Sequence, residues 1–298
     1  MINTYTMLFS CSAFAKANHT KTRFLYTAFL VLFMTSLTSC SIKKHKNLDY
    51  ITQSITKSAA PTLNVFSSRC EQDSLQPVLI FVYGGNWNSG RKEIYNIAAR
   101  NFARHGATVV VPDYTKSPDA TALEMTAQIA QAINWTEENI INYGGDPNRI
   151  FITGHSAGGH LAALATMDAS YNVEQNTIKG IILNDAAGLD MFSYFKKSPP
   201  TNASNYLATW GEEPELWKTA SPYYFINKNV PKMKIYVGTE TYESIKQGNN
   251  RFLKELQTVQ PSAAIEYLEK KHAPMVTQFF FPWNKRIDEI IAFMNGQE

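Results

Sequence analysis

The sequence predicts an α/β chain: a mostly parallel sheet with helices on both faces and a small cap-like insertion. Three observations carry that expectation. From Pro77 onward, short apolar runs such as VLIFVY (Val78–Tyr83) alternate with helical stretches. The runs are continuous rather than alternating, as strands buried on both faces require. The closing segment puts Ile287, Ile290, Ile291 and Met294 at i, i+3, i+4, i+7, one apolar helix stripe. With 298 residues, 44% of them hydrophobic, the chain is long enough for one large core.

The elements follow in order. A strand at Leu63–Phe66 interrupts a polar, irregular lead-in that runs from Asn47 to Gln76. Val78–Tyr83 is the first buried strand, followed by a Gly-rich loop and a helix near Lys92–His105 that ends at Gly106. ATVVVP (Ala107–Pro112) is the next strand. A long helix spans Asp119–Tyr143, with Leu123, Ala127, Ala130 and Ile133 on one face, and stops at Gly144-Gly145-Asp146-Pro147. Arg149–Thr153 is a strand, Ala157–Met167 a helix and Ile178–Leu183 a strand. Residues 189–218 break the rhythm with aromatics, Pro and Asn, as a cap over the strand ends would. The alternation resumes with a strand at Lys234–Val237, a helix around Gln247–Thr258, a strand at Ala263–Leu268 and the closing helix. Repeated βα units predict parallel strands with right-handed crossovers. Such sheets take ligands at the carboxyl ends of their strands.

The N-terminal region reads as an address. Lys21 and Arg23 precede FLYTAFLVLFMTSL (Phe24–Leu37), an apolar run of signal-peptide length and short for a membrane span. It ends in Leu37-Thr38-Ser39-Cys40, which resembles the cleavage box of bacterial lipoproteins, whose cysteine is acylated. The resemblance implies a signal segment at 1–39, a lipid tether and lead-in at 40–76, and a domain at 77–298. It also implies lipidation at Cys40, export, and anchoring to the bacterial cell envelope through the membrane. The alternatives are an ordinary secretory signal cut near Ser39, giving a secreted protein, or an uncleaved anchor. After processing, Cys70 is the one remaining thiol besides Cys40, so no intrachain disulfide framework is available.

Charge excludes another class of partner. The formal +3 is carried by Lys16, Lys21 and Arg23 in an acid-free leader, so residues 40–298 are formally neutral. A neutral domain gives no electrostatic reason to expect nucleic acid. The basic cluster Lys43-Lys44-His45-Lys46 reads as a flank of the tether. No His/Cys/Asp cluster has metal-ligand spacing, so no metal or cofactor is expected.

The chemistry centres on FITGHSAGGHLAAL (Phe151–Leu164), where an apolar strand run becomes a helix run. Gly154-His155-Ser156-Ala157-Gly158 places small residues two positions either side of Ser156, the pattern of a turn sharp enough to lift a serine hydroxyl clear of the backbone. Gly-x-Ser-x-Gly arises by chance in roughly one chain in ten of this length, so it needs support. A serine needs a base to become a nucleophile, and the base works best when a carboxylate orients it. Of six histidines, His19 lies in the leader, His45 in the tether and His105 at a helix end. His155 abuts Ser156 and is expected to point away across the turn, and His160 lies one helical turn on. His272 remains, in LEKKHAPM between the last strand and the last helix, on the same sheet edge as Ser156. Oxyanion donors are available from the Ala157 N–H and from the backbone after the first buried strand, at Tyr83-Gly84-Gly85-Asn86-Trp87.

Taken in order, VLIFVYGGNWNSG, VVVPDY, NYGGDPNRIFITGHSAGGHLA, TASPYYFI, YVGTETY and the His272 loop resemble α/β-hydrolases of the esterase/lipase group. That group includes hormone-sensitive-lipase-like carboxylesterases, bacterial feruloyl-esterase-like proteins and kynurenine formamidases. The resemblance implies an α/β-hydrolase fold, hydrolysis of a small-molecule carboxylic ester, Ser156 as nucleophile and His272 as general base and acid. It implies the backbone N–H groups of Gly85, Asn86 and Ala157 as the oxyanion hole. An amidase or small-peptide hydrolase with the same triad, and a non-catalytic binding protein on this scaffold, are the competing readings.

The chain departs from the group twice. Tyr83 stands where a His usually begins His-Gly-Gly-x-Trp. The loop after Lys234–Val237, which usually holds the triad Asp, reads Gly238-Thr239-Glu240-Thr241-Tyr242-Glu243. Glu240 and Glu243 compete for the role there, and Glu240 is chosen because it lies three residues after Val237. Asp185 or Asp190, at another strand end, is left if neither glutamate serves. Of the insertion's aromatics (Phe192, Tyr194, Phe195, Tyr206, Trp210 and Trp217), packing is favoured slightly over lining a pocket.

Overall fold

A computed structural model describes residues 41–52, 58–68 and 74–297. The leader and Cys40 therefore lie outside the described residues, as does Cys70. The expectations of a signal at 1–39 and a lipid on Cys40 fall there.

The strands are β1 (Ile42–Asp49), β2 (Thr62–Ser68), β3 (Gln76–Val82), β4 (Thr108–Pro112), β5 (Gly145–His155), β6 (Ile178–Asn184), β7 (Lys232–Gly238) and β8 (Ile265–Leu268). They form one sheet in the order β1-β2-β4-β3-β5-β6-β7-β8. β2 runs antiparallel to both β1 and β4, and β4 through β8 are parallel. The longer helices are α1 (Asn96–Arg104), α2 (Ala122–Asn139) and α3 (Ala157–Met167), then α7 (Glu243–Leu256) and α9 (Lys285–Met294). Between β6 and β7 lie α4 (Met191–Phe195), α5 (Tyr206–Trp210) and α6 (Pro214–Thr219), and after β8 comes α8 (His272–Thr277).

The central strands are the core. Val78 to Val82, Val109 to Val111 and Ile181 to Leu183 are all buried, with helices covering both faces. The long helix begins later than the apolar pattern alone suggests, because Thr121 caps it. The Thr121 hydroxyl accepts from the Glu124 N–H while the Glu124 carboxylate accepts from the Thr121 N–H, a reciprocal box that fixes Ala122 as the first helical residue. α2 gives way at Ile140 to a tighter 3-10 turn that ends at Gly144, whose φ is +82°.

The lead-in is more ordered than its polarity implies. β1 and β2 belong to the sheet, so the segment between the leader and Pro77 is not merely a tether. β1 has the composition of an edge strand, IKKHKNLD, whose charges remain in water and discourage further pairing. Lys44 lays its ammonium 5.1 Å from the centre of the Phe66 ring, anchoring a polar strand on an apolar neighbour.

The insertion packs on aromatic edges. Phe195 meets Trp210 and Trp217 at centroid distances of 5.6 and 5.4 Å, and Trp210 meets Trp87 at 4.9 Å. These rings are core. Tyr194 and Tyr206 instead face a cavity over the strand ends.

Candidate active site

Ser156 joins β5 to α3 with φ 54° and ψ −126°, a conformation that L-residues adopt only when the surroundings enforce it. Those surroundings are the two flanking glycines. A Cβ on Gly154 would come within 2.3 Å of the Gly158 backbone, and one on Gly158 within 2.2 Å of the Val82 carbonyl oxygen. The turn closes because neither residue has a side chain, and the Ser156 hydroxyl is left at the cavity wall.

His272 stands at the start of α8. Its Nε2 is 2.9 Å from Ser156 Oγ and its Nδ1 is 2.5 Å from Asp185 Oδ2. Asp185 is fully buried, one residue past β6. Its Oδ1 accepts from the Gly238 N–H at 2.9 Å, and its Oδ2 also accepts from the Thr241 hydroxyl at 2.5 Å. The arrangement makes one proton-transfer line: hydroxyl, imidazole, buried carboxylate.

Glu240 has no place in that line. It is exposed, and its backbone N–H donates to the Lys270 carbonyl at 3.1 Å. Glu243 is the first residue of α7 and pairs with Lys246 at 2.8 Å. Asp190 accepts from the Ser193 N–H and pairs with Arg251 at 2.8 Å. The carboxylate against His272 is thus Asp185, and the expected Ser-His-Glu set becomes Ser156-His272-Asp185 in space. The physical reason is strand order. β6 lies between β5, which carries Ser156, and β7, so a carboxylate just past β6 sits between the serine turn and the His272 loop. Thr241 of the β7 loop reaches the same place, but as a donor.

The two nearby histidines are supports. His155 is buried and its Nε2–H donates to the His272 carbonyl at 3.0 Å, with the rings 4.5 Å apart. Burial first, and the His272 charge second, hold its pKa down to about 3, so it stays neutral. His160 accepts from the Trp87 indole N–H at 3.1 Å through Nδ1 and donates from Nε2 to the Ala220 carbonyl at 2.7 Å. Burial holds it down to about 4. His155, Asp185 and His272 bring ligand-type atoms within 4.8 Å of one another. Each of those atoms already faces a proton donor or acceptor within the cluster.

The loop after β3 lies across from Ser156. Asn86 and Trp87 have φ of 51° and 59°, which turns successive backbone N–H groups inward. Among the described residues, the N–H groups of Gly85, Asn86 and Ala157 have no acceptor within the chain. The Asn86 side chain accepts from the Tyr206 hydroxyl at 2.7 Å, and Asn88 donates to the Ser204 carbonyl at 2.8 Å, which ties this loop to the insertion. Burial pushes the Tyr206 hydroxyl up to about 12, so it remains a donor.

Tyr83, where the chain departs from His-Gly-Gly-x-Trp, is buried at the base of this loop. Its hydroxyl donates to Asp113 in a very short hydrogen bond, and Lys116 stands 3.1 Å from both groups. Its ring stacks on Tyr114 at 4.7 Å. Above Ser156 the cavity encloses about 670 Å³, and Ile94, Tyr95, Phe280, Tyr194, Tyr206 and Tyr242 are among the residues that line it. That is a volume suited to a small organic ligand.

The chain is 34% identical over 177 residues to esterase LipQ of Mycobacterium tuberculosis, covering 54% of this chain and 41% of LipQ. It is 28% identical over 223 residues to esterase LipC of the same organism, covering 70% of this chain and 55% of LipC. The isoprenylcysteine alpha-carbonyl methylesterase ICME of Arabidopsis thaliana is 38% identical over 96 residues, 32% of this chain and 22% of that protein. The chain thus spans well under two thirds of the length of these relatives. Among solved structures, esterase B of Lactobacillus rhamnosis superposes with a TM-score of 0.71 at 17% identity, covering 96% of each chain. Carboxyl esterase 2 of Tuber melanosporum does so at 0.68 and 22% identity, covering 88% of this chain and 89% of that one. These neighbours share the α/β-hydrolase fold. A family model described as BD-FAE matches residues 63–249, more than half of the chain, from β2 through the serine turn and Asp185 into α7. The chain belongs to the BD-FAE family.

Proposed function

We propose that the protein is a serine hydrolase of carboxylic esters, with Ser156 as nucleophile, His272 as general base and acid, and Asp185 as the orienting carboxylate. The observation that carries the reading is the Ser156–His272–Asp185 line, at 2.9 and 2.5 Å, beneath a cavity of about 670 Å³. The esterase names of LipQ and LipC support the reaction class.

In the mechanism, Ser156 Oγ attacks the ester carbonyl carbon as His272 Nε2 takes its proton. Asp185 keeps Nδ1 protonated and stabilises the imidazolium that forms. The carbonyl oxygen becomes an oxyanion facing the N–H groups of Gly85, Asn86 and Ala157, fixed donors that do not reorganise. Collapse breaks the bond to the leaving oxygen, which departs as an alcohol with the proton from Nε2. Water then repeats the sequence on the acyl-serine and releases the acid. A panel of p-nitrophenyl and hydroxycinnamoyl esters beside matched amides tests the class. Ser156→Ala is expected to fold and to lose at least a thousandfold in turnover, because nucleophile and base act as one unit. Near-parent turnover in that variant would end the proposal, and faster amide than ester cleavage would move it to the amidases.

We also propose a lipid on Cys40, export, and anchoring at the cell envelope, on the strength of the Leu-Thr-Ser-Cys box. β1 begins two residues later, at the sheet edge where the parallel strands start, whereas Ser156 follows the edge where they end. Two or more acyl chains are needed for stable anchoring. Cys40→Ser is expected to release the protein from membranes or stall its processing. An unlipidated mature chain starting elsewhere, seen by intact mass, overturns the anchor.

A further inference from the structure

The loop after β7 approaches His272 yet brings it no carboxylate. What it brings is Thr241, nearly buried, with Oγ1 at 2.5 Å from Asp185 Oδ2 and 3.3 Å from His272 Nδ1. We propose that Thr241 is a positioning residue of the triad and that positions 185 and 241 are interchangeable seats for its acid. The proposal rests on reading Ser156, His272 and Asp185 as catalytic.

Proton direction is fixed by elimination. With Nε2 poised to accept from Ser156, Nδ1 is an N–H donor, so the Thr241 hydroxyl cannot donate to it. Its proton goes to Asp185 Oδ2, the same oxygen that takes Nδ1–H. The carboxylate then has three donors: the Gly238 N–H on Oδ1, and Thr241 and His272 on Oδ2. Two of the three come from the end of β7. They give the buried carboxylate its hydrogen-bond partners and fix the direction in which Oδ2 meets the imidazole.

The same geometry permits an exchange. An aspartate at 241 would carry its carboxylate oxygens one bond beyond the present Oγ1, which is already 3.3 Å from Nδ1. An asparagine at 185 would keep Oδ1 for the Gly238 N–H and present its Nδ2 donor where Oδ2 now lies. Donor and carboxylate would trade places about a stationary His272, whose backbone His155 still holds.

The test uses the full chain, with p-nitrophenyl butyrate kinetics, the rate of Ser156 labelling by a fluorophosphonate, and thermal melting to verify folding. Thr241→Val is expected to lower kcat about tenfold with KM within about twofold, and Thr241→Ser to stay within about twofold of the parent. Asp185→Asn is expected to lose about three to four orders of magnitude in kcat, as loss of the correct histidine tautomer does elsewhere. Thr241→Asp alone is impaired, because two adjacent carboxylates repel. The double variant Asp185→Asn/Thr241→Asp is expected to regain at least about tenfold over Asp185→Asn in both turnover and labelling. A Thr241→Val variant that melts lower but keeps its kcat overturns the positioning role. A folded double variant no faster than Asp185→Asn overturns the exchange, and should the double variant fail to fold, the exchange is likewise overturned while the Thr241→Val and Thr241→Ser pair decides the positioning role. A parent chain that neither turns over ester nor labels at Ser156 overturns the hydrolase reading itself, a different failure from either.

Discussion

Gly158 lies so close to β3 that a Cβ there would come within 2.2 Å of the Val82 carbonyl oxygen. The glycine two residues after the serine is therefore a packing requirement between α3 and the strand beside it. Gly158→Ala must push α3 away from the sheet or distort β3, and backbone is the obstacle, so no side-chain rotation relieves it. Overpacking of this kind typically destabilises by about 1–3 kcal/mol. A melting temperature about 2–12 °C below the parent is expected, at about 2–4 °C per kcal/mol for a domain of this size. The same displacement moves Ser156, so ester turnover should fall by more than the unfolded fraction accounts for. An unchanged melt and unchanged turnover would mean that α3 is not pinned here.

The acid assignment separates by two substitutions. Asp185→Asn keeps the acceptor for Gly238 but turns a donor toward His272 Nδ1, favouring the wrong tautomer. Turnover is expected to fall by about three to four orders of magnitude. Glu240→Gln changes an exposed side chain and is expected to stay within about twofold. The reverse outcome, a crippled Glu240→Gln beside an active Asp185→Asn, would return the triad to the β7 loop.

That pair also marks what was legible in the residues. β3 through β7 were readable because strands buried on both faces must be continuous apolar runs. β1 was not, because IKKHKNLD is an edge strand whose charged face is its function, and polarity there resembles a linker. Ser156 and His272 were brought to one place by the order of strand ends. The acid required knowing which neighbouring strand ends nearest the imidazole, and spacing along the chain does not encode that. The available signal was Asp185 itself, the first residue past the β6 run IILN and followed by Ala186-Ala187-Gly188, small enough to let a buried carboxylate turn inward. The Thr241 hydroxyl had no sequence signal of its own.

His160 gives the fold a pH dependence. Burial holds it down to about 4, below its ordinary value of 6.5, so the folded state favours the neutral ring. The unfolded chain takes up its proton as pH falls through 6.5, whereas the folded chain does so only near 4. Stability is therefore full above 6.5 and declines between 6.5 and about 4, by a total on the order of 3 kcal/mol for this group. His155, held at about 3, extends the decline downward. His160→Gln can still accept from Trp87 and donate to Ala220. It is expected to melt lower at pH 8 but with a shallower loss between pH 6.5 and 4. Parallel parent and variant curves over that window would remove His160 as the titrating group.

The last relationship joins the oxyanion loop to the insertion. Tyr206 donates to the Asn86 side chain at 2.7 Å, while the proposed role of Asn86 in catalysis belongs to its backbone N–H. Removing the side chain leaves that N–H in place, so Asn86→Ala does not delete a donor. It does two other things. It frees the insertion at Tyr206, and it leaves a φ of 51° on a residue less tolerant of it than asparagine. Tyr206→Phe breaks the same hydrogen bond without touching the backbone. If the bond's role is to hold the insertion over the cavity, both variants should raise KM about two- to fivefold, with kcat nearly unchanged in Tyr206→Phe. Asn86→Ala should add a further drop in kcat, because its loop is no longer held at the angle that aims the Gly85 and Asn86 N–H groups. The double variant should then equal Asn86→Ala alone, since the second change removes a partner already lost. Additive losses in the cycle would mean that Asn86 and Tyr206 act separately and that the insertion is held by its aromatic packing on Trp87.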